Sequence, residues 1–251
     1  MHLAPGERLE PIGGGSRVIV SPAHTFSTDT VLLANWSMPR PGDCCAELGT
    51  GCGMAALLWC TRSTPDAVYA IDNQPQACSQ AARSAALNGF ANLHVLPYDL
   101  REIPAQRASA LPMPIELDVV ACNPPYTPLG AGAPNPAAPK ASARHEQSCT
   151  LAEVAAAAAR LLRWGGRFCC CLRPDRMPEA FATFTAAGLA PKRLRLVQHD
   201  LQKAPSLFLL ECRRGGKPGL TVAPVLLLED PPGTCSAEMR AIYGDYAEGH
   251  K

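Results

Sequence analysis

The chain has 251 residues, 47% of them hydrophobic and 18% charged, with a formal net charge of +1. That is enough apolar material for one large buried core with small appendages. A charge so near zero excludes a histone-like or polyanion-coating role, while leaving room for a local basic patch on one face.

The start, MHLAPGERLEPIGG, has no apolar core of signal-peptide length. No run approaches the roughly 18 to 20 uncharged residues of a membrane span, so the expected location is the cytosol, with no membrane partner. Twelve cysteines raise the question of disulfides or metal. Cys44, Cys45, Cys122, Cys169, Cys170 and Cys171 sit inside strand-like apolar runs, and no CxxC pair occurs. They are expected to be small reduced core residues, and no metal site is expected.

The first predicted elements, in RVIVSPAHTFSTDTVLLANWS, are a short strand and a lead-in helix whose start is marked by the capping types Ser27, Thr28 and Asp29. Strands follow at 43–48, 67–71, 92–96, 117–122, 167–172, 193–198 and 206–212, with helices near 53–62, 74–89, 150–163 and 176–188. Alternation of this kind predicts a Rossmann-like α/β fold, a seven-stranded mainly parallel sheet with helices on both faces. Only the loop QHDLQKAP separates the last two strands, too short for a crossover helix, so they are expected to pair antiparallel. Residues 127–143, rich in Pro, Ala and Gly, read as a long mobile loop, and the tail as an extra strand in VAPVLLLED and a helix around 236–247. The expected organisation is a lead-in at 1–40, a main domain at 41–215 and an extension at 216–251 packing on the same domain.

Chemistry concentrates at strand ends. The first main strand ends in ELGTGCGM, where Glu47, Gly49, Gly51 and Gly53 form ExGxGxG, a turn that lets backbone approach a ligand at a helix N-terminus. A dinucleotide fingerprint would need glycine at position 54, where this chain has Met54. Asp72 ends the second strand, where an acid meets a ribose diol, although it would equally cap the next helix. Asp99 repeats the pattern after the third strand, placed to touch an adenine amine or to close a turn.

The stretch ACNPPYTPLG follows the fourth strand. An exocyclic adenine amine is a poor nucleophile because its lone pair is delocalised into the ring, so alkylating it requires drawing its N–H groups toward acceptors. Asn123 offers a side-chain oxygen, Pro124 a carbonyl on a restrained backbone, and Tyr126 a face on which a planar base can stack. Positioning and electrostatics would then carry catalysis without a strong general base. Taken without the glycine turn, the same residues are a proline-rich turn with Tyr126 packed.

ELGTGCG, Asp72, Asp99 and NPPY together resemble a class I S-adenosylmethionine-dependent methyltransferase of the amino-methylating type. FSTDTVLLANW, ARHEQSCTLAEVAAAAARLLRWGGRF, LRPDR and KAPSLFLLECRRGGKPGLTVAPVLLLED are similar in order and spacing to the bacterial family that methylates adenine next to the anticodon of valine tRNA, over nearly the whole chain. The resemblance implies S-adenosylmethionine as cofactor, lined by Glu47, Gly49, Gly51 and Gly53, with Asp72 at its ribose and Asp99 at its adenine. It places Thr28 and Asp29 near the methionine end, and Asn123, Pro124, Pro125 and Tyr126 at the target base. The resembling sequences more commonly carry HRPER where this chain has LRPDR, so Leu172 stands in a histidine's place and no role of that histidine carries over.

Basic residues that could meet RNA phosphates are Arg144 and His145, Arg173 and Arg176, the KRLR run 192–195, and Lys203, Arg213, Arg214 and Lys217, though any of them could equally be part of a solvated face. An anticodon loop presents an adenine without the full cost of opening a duplex. The expected function is therefore methyl transfer to an adenine amine in tRNA. Its rivals are methylation of a glutamine amide in a release factor, which NPPY would serve by the same geometry, DNA adenine methylation, a non-catalytic RNA-binding protein of the same fold, and a dinucleotide oxidoreductase. Only about forty residues precede the glycine motif, which leaves no room for a helical domain in front of it, and no separate base-reading domain is visible.

Overall fold

The computed structural model describes residues 3–103, 113, 116–124 and 149–244. The loop expected at 127–143, Pro125, Tyr126, Arg144 and His145 lie outside them. In chain order the described elements are β1 (Arg8–Gly13), β2 (Ser16–Val20), α1 (Thr28–Trp36), β3 (Cys44–Leu48), α2 (Met54–Arg62), β4 (Ala67–Asp72), α3 (Pro75–Leu87), β5 (Leu93–Pro97) and β6 (Leu117–Cys122). Then come α4 (Leu151–Leu161), β7 (Leu162–Leu172), α5 (Met177–Ala186), β8 (Leu189–Gln198), β9 (Leu207–Arg214), β10 (Thr221–Val222), β11 (Leu226–Leu227) and α6 (Ala237–Tyr243). No helix among the described residues is long and apolar enough to cross a membrane.

The main sheet runs β10-β8-β9-β7-β6-β3-β4-β5, with β11 also on β8. All seven expected strands are present. As the short β8–β9 connection requires, β9 is antiparallel, inserted between β7 and β8. The sheet is wider than expected because the tail adds two strands of two residues each along β8. Pro224 lies between them and has no N–H to offer the ladder, so VAPVLLLED forms two short strands rather than one. The lead-in also holds a strand that sequence patterning missed: β1 pairs with β2 as a hairpin. That hairpin docks on α3, where Ser84 Oγ accepts from Ile19 N at 2.9 Å and Gln80 Nε2 donates to Ile19 O at 3.0 Å.

Alternate residues of the strands feed two cores. Cys45, Val68, Ala70, Val119, Ala121, Cys169 and Cys171 face α1 and α2, while Ala46, Leu48, Ile71, Val120, Cys122 and Cys170 face α4 and α5. Burial on both faces is why these strands read as continuous apolar runs. The cysteines serve as small core residues, and all twelve are free thiols. Among the described residues no group of three or more His, Cys, Asp or Glu is arranged to hold a metal.

Register decides where the site falls. Leu48 of β3 lies level with Ile71 of β4 on one side and Cys122 of β6 on the other. The residues that follow, Gly49, Asp72 and Asn123, therefore leave the sheet side by side at the same edge.

Candidate active site

At that edge the chain turns from β3 into α2 through Gly49, Thr50, Gly51, Cys52 and Gly53. Gly49 N and Thr50 N both donate to Ile71 O, at 2.8 and 3.0 Å, which ties the turn to β4. Gly51 has φ +54 and open space where a Cβ would stand, so its backbone is a bare wall toward the cavity. Gly53 does different work. At φ +86 it is the N-cap of α2, and a Cβ there would stand 3.0 Å from Ala81 Cβ, so it allows α2 and α3 to pack closely rather than lining the cavity.

Glu47 is buried beneath this turn. Its Oε2 accepts from Thr50 Oγ1 at 2.6 Å and from Ala56 N at 2.9 Å, joining β3 to the first turn of α2. Burial pushes the carboxyl up to about 7, against the opposing pull of those two hydrogen bonds. Asp72, also buried, bridges the turn and the next helix: Oδ2 accepts from Gly51 N and Oδ1 from Gln74 N, both at 2.9 Å. Each oxygen keeps a lone pair, so the helix-entry role and the diol-binding role expected of Asp72 are compatible. Asp99 opens a short 3-10 turn and is held by the Arg101 guanidinium, with Oδ1 2.9 Å from Nε. That cation keeps the Asp99 carboxyl down at about 2.

These groups line one cavity of ≈ 350 Å³ together with Thr25, Phe26, Thr30, Tyr98, Asn123, Pro124 and Cys149. Its volume is in the range of small-molecule sites, about 300 to 1,000 Å³. Asn123 stands at the end of β6 and is oriented from two sides: Nδ2 donates to Thr30 Oγ1 at 3.4 Å, and Cys171 Sγ donates to Oδ1 at 3.2 Å. Pro124 and Cys149, the described residues flanking 125–148, are both in the wall. Thr150 next to Cys149 starts α4 with a capping box, its hydroxyl accepting from Glu153 N and its own N–H donating to Glu153 Oε2.

Of the residues expected from the sequence, Glu47, Gly49, Gly51, Asp72, Asp99, Asn123 and Pro124 share this cavity. Thr28 and Asp29 do not line it. Thr28 Oγ1 instead lies 3.1 Å from the Tyr243 hydroxyl of α6, and from the start of α1 the wall takes Thr25, Phe26 and Thr30. Thr30 and Cys171 were missed. For Thr30 the signal was the hydroxyl one step beyond Asp29 in TDT; for Cys171 there was none, since in the sequence it is one of three successive core cysteines.

S-adenosylmethionine fits this constellation. A bare glycine wall, a carboxylate with lone pairs to spare at the second strand end and a buried acid near the turn suit an adenosine ligand with a ribose diol and a cationic end.

The basic residues divide into groups. Arg173, just past β7, and Lys203, in the β8–β9 loop, are exposed at the same sheet edge as Asn123. Arg176 is buried and its guanidinium engages both oxygens of Glu179 at 2.8 Å, which takes it out of the set available to phosphates. The KRLR run is also largely occupied: Arg193 lies 4.1 Å over the Trp36 ring and pairs with Glu211, and Arg195 pairs with Glu238. Leu172, in place of the histidine of HRPER, is fully buried.

No family model matches the chain. Among curated relatives, the chain is 30% identical over 167 residues to the tRNA1(Val) (adenine(37)-N6)-methyltransferase of Pseudoalteromonas translucida, covering 66% of this chain and 68% of that one. It is 27% identical over 226 residues to the protein of the same name from Tolumonas auensis, covering 89% and 90%. Among solved structures, a predicted O-methyltransferase from Agrobacterium tumefaciens superposes with a TM-score of 0.68 at 21% identity, over 88% of this chain and 96% of that one, a likeness of fold.

Proposed function

This chain belongs to the tRNA1(Val) (adenine(37)-N6)-methyltransferase family, and on that premise we propose that it methylates the exocyclic amine of an adenine in tRNA, next to the anticodon of valine tRNA. The observation that carries this reading is the register that sets Gly49, Asp72 and Asn123 side by side around one cavity. S-adenosylmethionine supplies the methyl group when bound. Asp72 holds its ribose, Asp99 its adenine, and the Gly49–Gly51 backbone its flank, while Glu47 sets the charge beneath the turn.

Asn123 accepts one N–H of the target amine through Oδ1, and the Pro124 carbonyl accepts the other. Both hydrogen bonds draw electron density back to the nitrogen and aim its lone pair at the cofactor side of the cavity. Tyr126 stacks the base, and Pro125 belongs to the same target-base site. Water-excluding walls from Phe26 and Tyr98 strengthen these polar contacts. Arg173 and Lys203, with Arg144, hold phosphates of the anticodon arm at the rim, and the location is the cytosol, where tRNA is found.

The test is methyl transfer from labelled S-adenosylmethionine to bacterial tRNA lacking the modification, for wild type and Asn123→Ala, with nucleoside analysis. N6-methyladenosine formed by wild type, with the rate lowered roughly 100- to 1,000-fold in the variant and cofactor affinity retained, is expected. Label entering a protein glutamine instead of tRNA would replace this reading with the release-factor one.

A further inference from the structure

The end of the sheet opposite Asn123 carries an exposed indole among cations. Between Leu117↔Leu162 and Val119↔Arg167 the β6–β7 ladder slips, leaving Arg163 to Gly166 as an outward bulge on β7. Gly165 at φ +77 and Gly166, whose missing Cβ would meet Arg163 O at 2.9 Å, shape that bulge. At its tip Trp164 is 75% exposed, whereas Trp36 is 8% and Trp59 0% exposed. The indole is not loose: its ring edge rests on Gly215, where a Cβ would stand 2.1 Å from the ring. Gly215 thus holds a large flat apolar face in place and open to solvent.

Around it stand Arg163, Lys192, Arg213, Arg214 and Lys217. Arg213 donates to Gly165 O at 3.0 Å, Arg214 donates to Leu162 O, and Lys192 donates to Lys217 O, and among the described residues no carboxylate pairs with Arg214, Lys192 or Lys217. The facing acids are Asp118, paired with Arg163; Glu116 on the turn before β6; Asp43 just before β3; and Glu211. Buried Glu211 is shared by Arg167, Arg193 and Arg213, and Arg167 also lies 3.9 Å from Asp43, two carboxylates for three guanidiniums. In a chain of net charge +1 this end is locally cationic.

A clamped aromatic face inside a cationic rim has the chemistry of a stacking platform for an unstacked nucleobase and its phosphates. Apolar protein partners would leave the cations buried without counter-charge. Asn123 lies six positions beyond Leu117, just past the end of β6, so the platform lies roughly 20 Å from the reacting end of the sheet. We propose that Trp164 and its cationic rim form a second RNA contact, taking an unpaired base of the tRNA body outside the anticodon arm. This rests on the tRNA reading above, and it makes the body of the tRNA, not only its anticodon loop, part of substrate recognition.

The experiment compares full-length tRNA with its isolated anticodon stem-loop as methyl acceptors for wild type, Trp164→Ala, Trp164→Phe and Lys192→Ala/Lys217→Ala. Trp164→Ala should raise KM for full-length tRNA roughly 5- to 100-fold with kcat within twofold, and leave the stem-loop unaffected. Trp164→Phe should stay near wild type, and the lysine variant should flatten the salt dependence by roughly one to two phosphates. Because the other two tryptophans are buried, acrylamide quenching reports Trp164, and full-length tRNA should protect it. Unchanged KM in Trp164→Ala, an equal loss on both substrates, or unaltered quenching with tRNA bound would each overturn the proposal. Wild type that methylates no RNA at all would instead overturn the function proposed above, and the quenching measurement would still decide whether RNA covers the platform.

Discussion

Cys171 directs its thiol at Asn123 Oδ1 across 3.2 Å, from β7 to the residue just past β6. The two meet because Cys122 and Cys170 are register partners, so the next residue on each strand shares a level. With Thr30 accepting from Nδ2 on the α1 side, both ends of the amide are held. Removing either clamp, as Thr30→Val or Cys171→Ala, should lower kcat roughly fivefold, about 1 kcal/mol for one lost hydrogen bond, with cofactor Kd within twofold. Single-turnover rates with the two variants check this, and an unchanged kcat in both would mean that neither hydrogen bond sets the orientation of Asn123.

Asp72 is expected to be the main polar anchor of the cofactor, because it holds Gly51 N and Gln74 N while keeping lone pairs for a diol. Asp72→Asn puts an NH2 against one of two backbone donors. Cofactor Kd should rise roughly 10- to 100-fold, the range for hydrogen bonds to a charged group, read by calorimetry beside a circular-dichroism check of folding. A Kd within twofold of wild type would remove Asp72 from the ribose role.

Glu47 ties stability to pH. Its folded value of about 7 lies above the ordinary 4.5, because burial favours the neutral acid. Between those values the folded state keeps a proton that the unfolded chain has released. The stabilisation is fully present below pH 4.5 and is lost as pH rises to about 7, in total about 3 kcal/mol for the cofactor-free protein. Urea titrations from pH 5 to 8 should show that slope in wild type, and a shallower one in Glu47→Gln. Identical slopes would place the titration elsewhere. A cationic cofactor favours the ionised acid, so its binding should release protons below pH 7.

Gly53 is needed for its backbone and its small size. Gly53→Ala forces a β-carbon at φ +86 and within 3.0 Å of Ala81 Cβ, where α2 and α3 meet. A loss of about 1 to 3 kcal/mol in unfolding free energy is expected, with the urea midpoint as readout. Gly51→Ala, where the space is open, should lose cofactor affinity more than stability.

The sequence by itself determined the alternation of strands and helices, because strands buried on both faces must be continuously apolar and the helices between them need caps and breakers that stay local. It also determined which residues stand at strand ends, and hence Glu47, Asp72, Asp99 and Asn123 as a set. Only the tertiary structure decided what depends on register and on distant chain: that Leu48, Ile71 and Cys122 are level, so the glycine turn, Asp72 and Asn123 open on one cavity. The same holds for Thr30 and Cys171, 93 and 48 residues from the asparagine they orient. Arg176 and the KRLR arginines look in sequence like free charges, but their partners Glu179, Glu211 and Glu238 come from packing. Trp164 reads as one more apolar residue until a four-residue bulge, a slip in strand pairing that no local pattern encodes, turns it out to solvent.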